Sequence, residues 1–309
     1  MYCFRSVVVS GYFAARTRQP DNEKHMTSTN KVKSVDKLTL GKKLVSVLKK
    51  RYHQPVPKQD RPVLETLLYA VCLEDTSVEL ADGAYERLWS AFHDLNELRV
   101  SSITELVAHV FDGMPDPDWR AHRVRNILQY VFEKHFEFAF EGLRRKTLEL
   151  ATKQLFKIRD LSPFVRNYAL QTALETHVVP VDRLMTNASI WLGLVPAGES
   201  PEQAAETLKS TARKVDVSVF SHYLRCLAVD PRLVKLLEPA KGNSPPHDPQ
   251  TMIERLAVLF KEGDSGARKS AKKSARSPGR GADEHDRSAS TKPARPRDGQ
   301  RAQTARKKR

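Results

Sequence analysis

The chain has 309 residues, 40% hydrophobic and 29% charged, with a formal net charge of +15. That length buries one large core or two modest ones. It holds no run of about 18 apolar residues, so no membrane-spanning helix and no membrane partner are expected. Three cysteines, Cys3, Cys72 and Cys226, stand far apart with no CxxC pair, which suits a reducing compartment and predicts no structural disulfide. Cys72, set among Leu68, Val71 and Leu73, reads as a small buried hydrophobe. The positive charge is concentrated: fifteen Lys and Arg face five Asp and Glu between Asp264 and Arg309, about +10 of the total.

In chain order, residues 1–34 read as a disordered extension. Val7 to Val9 is too short an apolar core for a secretory signal, and Met26 offers an alternative start. From Val35 to Tyr52, Leu38, Leu40, Leu44, Val45 and Leu48 fall on one side of a lysine-rich helix expected to pack on the domain. Asp60-Arg61-Pro62 signals a helix start, and Leu64, Leu67, Leu68 and Val71 give that helix a buried face. Thr76-Ser77 caps the next helix, through Ala84 and Leu88 to Phe92. Ser102 and Glu105 have capping-box spacing at the head of a third. After the turn Gly113 to Pro117, a long helix runs from about Trp119 to His135, with Arg120, Arg123 and Arg125 gathered at its start. Leu143 to Phe156 supplies one more.

Asp160, Ser162 and Pro163 then form a turn, followed by Val165, Ala169, Ala173 and Leu174 at helical spacing. An apolar run from Val178 to Val181 delivers Asp182 to the front of a helix carrying Met185, Ile190, Trp191 and Leu194. Further helices are predicted at Pro201 to Lys214, Val217 to Ala228 and Pro249 to Lys261, and no length of β alternation appears. From Gly263 onward there is no Val, Ile, Leu or aromatic residue, so burial cannot offset the entropy of ordering, and 263–309 reads as a disordered Lys/Arg-rich tail. The intervening 35–262 is an all-α domain.

The order hairpin, helix, extended link, Asp, helix resembles the helix-hairpin-helix DNA glycosylases of the endonuclease III superfamily. In that family the corresponding stretch reads roughly L-P-G-V-G-x-K-T-A-N, then an apolar helix, then V-D-T-H. Leu67 to Leu88, LLYAVCLEDTSVELADGAYERL, is similar to the family's early helix pair. The resemblance covers about Asp60 to Pro239 and implies a two-lobed fold.

It also implies particular roles. Base excision needs a carboxylate to stabilise the cationic sugar or activate water, and Asp182 matches the family's Asp; it equally suits an ordinary N-cap. The family's Thr-His after the Asp is replaced by Arg183-Leu184. Strand cleavage by β-elimination needs an amine, and the family's lysine falls on Phe164, so lyase activity is not expected. The two hairpin glycines fall on Asp160 and Ser162, which leaves Arg159, Ser162, Arg166 and Arg183 as candidate DNA contacts. The family's glutamines fall on Glu74 and Asp75. Of the four iron-sulfur cysteines only Cys226 is matched; the later positions are Leu233, Leu236 and Gly242, so no metal or other cofactor is expected.

Two readings of function follow. One is a DNA-binding, glycosylase-related protein of base-excision-repair type, without lyase activity and with Asp182 as candidate catalytic residue. The other is a non-enzymatic scaffold or nucleic-acid interaction protein on a degenerate glycosylase fold. In both, the partner is duplex DNA bound largely without sequence preference by a monomer, with tail residues such as Lys272, Lys273, Arg306, Lys307, Lys308 and Arg309 contributing. The expected location is cytoplasmic, nucleoid-associated in a bacterium or nuclear in a eukaryote.

Overall fold

The computed structural model describes residues 29–57, 60–238 and 247–274. The chain divides into two units, Met1–Ala267 and Arg268–Arg309, and every described side chain belongs to the first. The extension before Thr29 and the tail beyond Ser274 lie outside the described residues.

Among the described residues every regular element is helical. The first, α1 (Thr29–Tyr52), begins six residues before the predicted Val35. It is followed by α2 (Val63–Leu73), α3 (Val78–Ser90), α4 (Leu95–Val100) and α5 (Ile103–Leu106), which runs on into one turn of π-helix. Next come α6 (Pro117–His135), α7 (Leu148–Leu155) and α8 (Pro163–Leu174). The chain ends in α9 (Arg183–Leu192), α10 (Pro201–Leu208), α11 (Val217–Ala228), α12 (Val234–Leu237) and α13 (Met252–Ser274).

Local chemistry sets these boundaries. Ser77 caps α3 by accepting from the Leu80 N–H, and Ser102 with Glu105 closes the expected capping box on α5. The single helix predicted over Leu143 to Phe156 is a short 3₁₀ turn (Glu141–Arg145) and then α7, because extended Thr147 breaks the run and accepts from the Leu150 N–H. The last helix passes the expected boundary at residue 262. A Cβ on Gly263 would lie 2.6 Å from Leu233, so the helix lies tight against that leucine there, and Asp264 is held by Arg51 and Arg232.

The helices build two cores. One takes its residues from α2 through α8, with Leu67, Leu68, Phe111, Ile127, Leu128 and Phe164 at its centre. The other combines α9 through α13 with α1, so the N-terminal helix belongs to the C-terminal lobe. Leu44 and Leu48 are fully buried there, each contributing about 1.5–3 kcal/mol by leaving water. Gly41 is required at this contact, because a Cβ would meet the Thr211 carbonyl oxygen at 2.1 Å. The two-lobed all-α reading of the sequence therefore holds.

Candidate functional site

The chain passes from the first core to the second through Val178–Val181, and Asp182 stands where α9 begins. Its Oδ1 accepts from the Met185 N–H at 2.9 Å, the N-cap bond that the sequence suggests. Its Oδ2 accepts from the Asp75 N–H at 3.1 Å and pairs with Arg225 Nη1 at 2.8 Å. The Asp182 side chain is 0% exposed and that of Arg225 6%. Both oxygens of the candidate catalytic carboxylate are thus occupied by protein donors, in a place that water does not reach.

Arg225, from α11, is the residue that sequence reasoning missed. Its Nη1 also donates to the Leu73 carbonyl at 2.8 Å and the Thr76 carbonyl at 3.3 Å, and its guanidinium lies 4.8 Å from the centre of the Phe164 ring. Phe164 itself is 1% exposed, part of the first core at the position where the resemblance implies a lysine. From the other side Arg120 of α6 donates to the carbonyls of Val71, Cys72 and Glu74. Two buried arginines from two different helices therefore satisfy the carbonyls at the end of α2, where the helix dipole leaves partial negative charge. No local motif announces this, since each arginine is remote in sequence from the carbonyls it serves.

The loop so clamped carries Glu74 and Asp75. Asp75 adopts a left-handed φ of +53° and returns the bond it gives, its Oδ1 accepting from the Leu184 N–H at 3.0 Å. Burial, and then the neighbouring Asp182, push its carboxyl above the usual range. Glu74 is raised by burial, with Arg123, its ion-pair partner, opposing the shift. A cleft of about 180 Å³ opens beside this loop, lined by Glu74, Asp75, Asp116, Trp119, Arg120 and Arg123. A smaller cavity of about 40 Å³ touches Arg225. Asp182 lines neither.

The turn before α8 carries side chains at both positions where the resemblance implies glycine. Asp160, aligned with a family glycine, has φ +57°, which Asp tolerates better than most side chains. Asn126 Nδ2 donates to its carboxylate at 3.2 Å, and Arg159 Nε lies 3.4 Å away. Ser162, at the second glycine position, is extended and buried, capping α8 at Val165. Arg166 is also buried, paired with Glu202 and stacked 4.0 Å from the Phe156 ring. Of the predicted DNA contacts on the folded part, Arg159 and Arg183 are exposed, the latter 3.7 Å from Asp75, whereas Ser162 and Arg166 are turned to internal partners. Lys272 and Lys273 fall in the last turns of α13, where no side chain is described, and Arg306, Lys307, Lys308 and Arg309 lie outside the described residues.

The Cys226 thiol lies 3.2 Å from Gln54 Oε1 and 3.7 Å from His222 Nε2, and burial pushes it up to about 11. Leu233 is buried in the second core and Leu236 is an exposed leucine; Gly242 lies outside the described residues. An iron-sulfur cluster on four thiolates does not fit these side chains.

No family model matches the chain, and no curated protein matches it. Among solved structures it is similar to a non-covalent endonuclease III–DNA complex, at 18% identity and TM-score 0.48, over 74% of this chain and 96% of that one. It is similar to a trapped endonuclease III–DNA covalent intermediate at 14% and 0.46, over 66% and 88%. The H. pylori 3-methyladenine DNA glycosylase bound to 1,N6-ethenoadenine gives 16% and 0.47, over 62% and 95%. Likeness at this level assigns no activity, and the functional reading rests on the residues.

Proposed function

We propose that the protein binds duplex nucleic acid without excising bases, using a glycosylase-like helical frame as a scaffold. The observation that carries this is the closed state of Asp182. Base excision asks a carboxylate to approach the sugar of the target nucleotide. Here that carboxylate is fully buried, both its oxygens are engaged, and it neutralises Arg225. Freeing it would strand a guanidinium in the interior, a cost of about 3–5 kcal/mol. Imine chemistry at the neighbouring position fails for a simpler reason, since Phe164 offers a phenyl ring in place of an amine. What remains is electrostatic: a strongly basic chain and a two-lobed body.

The test is a panel of duplexes carrying single damaged or mismatched bases, incubated with the full chain, with and without later alkali to reveal abasic sites. The expected result is binding that weakens steeply with salt and no base release on any duplex. Release of a base by the wild-type protein overturns the proposal, and strand cleavage with a borohydride-trapped adduct would reveal an amine at work.

A further inference from the structure

We infer that the outward face of α1 is a docking surface for the phosphate backbone of duplex nucleic acid. The inference deepens the proposed binding function and rests on it. Thr39, Lys42, Lys43, Ser46, Lys49 and Lys50 are exposed and recur at three- and four-residue spacing, so they form one stripe. The stripe contains four lysines, two hydroxyls and no acid. It extends over about 17 Å at 1.5 Å per residue, enough to run beside about five phosphates of one strand.

Two further observations separate this face from an ordinary solvated one. Among the described residues no ion-pair partner faces Lys42, Lys43, Lys49 or Lys50, whereas Arg123, Arg159, Arg166 and Arg183 near the expected DNA cleft each have a carboxylate within 4 Å. A polyanion that meets this face therefore meets four lysine charges that no adjacent carboxylate offsets. The stripe also carries no large exposed apolar side chain. A helix that lies on a lipid surface inserts such residues, so the chemistry fits a phosphate backbone better than an anionic membrane.

The helix is anchored well enough to serve as a rigid rail. Gly41 permits its close approach to Thr211, Leu44 and Leu48 are fully buried, and Arg51 holds Asp264 through bonds of 2.6 and 3.1 Å.

The experiment acylates the lysines of the full chain alone, with a mixed-sequence duplex, and with phosphatidylserine vesicles, and reads each site by mass spectrometry. Expected is protection of Lys42, Lys43, Lys49 and Lys50 by the duplex and not by the vesicles. In parallel, K42Q/K43Q/K49Q/K50Q in the full chain should keep its helical signal and lower the slope of log affinity against log salt by about 3.6, at about 0.9 per phosphate contact. R159Q/R183Q should change that slope less. Protection confined to lysines outside α1, or by vesicles alone, overturns the inference while leaving the binding reading intact. A chain that binds no duplex overturns both.

Discussion

The seam around Asp182 and the outer face of α1 each gather four basic side chains and use them in opposite ways. At the seam charge cancels at short range: Arg225 with Asp182, Arg123 with Glu74, Arg183 with Asp75, and Arg120 against three carbonyls. On α1 four lysines point outward with no acid among them. A residue count does not distinguish these cases. Charge drawn inward to satisfy the fold is lost to any partner, and charge left outward by a helix whose other face supplies the packing is free to act at a distance.

The largest effect tests the seam. Arg225→Met leaves Asp182 buried and unpaired and should cost about 3–5 kcal/mol in urea denaturation. Asp182→Asn should also be costly, although asparagine caps helices well, because Arg225 then loses its counter-charge. The doubly changed protein should lose clearly less than the two losses combined, the sign of a coupled pair. Simple additivity would mean that the two residues act independently and that Asp182 is available for other work.

Gly41→Ala strikes the seat of α1. The new Cβ collides with the Thr211 carbonyl oxygen, so the variant should be about 1–3 kcal/mol less stable, and duplex affinity should fall along with the docking of α1. Unchanged stability would mean that α1 sits less tightly than the 2.1 Å approach requires.

The smallest effect sharpens the view of the clamped loop. The Asp75 carboxyl is raised, so the folded state holds its proton more tightly than the unfolded chain does. The group therefore adds stability as pH falls through the raised value toward the ordinary carboxylate value, and this contribution is absent at neutral pH. Asp75→Asn keeps an acceptor for the Leu184 N–H and should reduce the gain in urea midpoint between pH 7 and pH 5. A full-sized gain in the variant would place the titration on Glu74, the other raised carboxyl.

Most of the frame was legible because its signals are local. The Ser102–Glu105 box, the Ser77 and Asp182 caps and the 3.6-residue apolar spacing each act within one turn or two. The positive φ at Asp160 was not legible, since a side chain at a glycine position argues against that conformation until the turn imposes it. The site was harder to read because its decisive contacts join remote segments: Arg225 reaches Leu73 across 152 residues, and Arg120 reaches Cys72 across 48. In sequence Arg120, Arg123 and Arg125 form a basic cluster at a helix start, yet Arg120 is buried and Arg123 is paired with Glu74. Arg166 likewise resembles a surface contact until α10 supplies Glu202.

The place of α1 in the second core also bears on the order of assembly. The first lobe is drawn from one unbroken stretch of chain, so its contacts can form as soon as that stretch exists. By contrast, α1 is made before either lobe and packs against α11, and its Tyr52 hydroxyl meets Asp230 across 178 residues. Long-range closures of this kind are slow. The buried leucines of α1 have their partners in α9 to α13, so the seat of the N-terminal helix is complete only once the C-terminal helices are made.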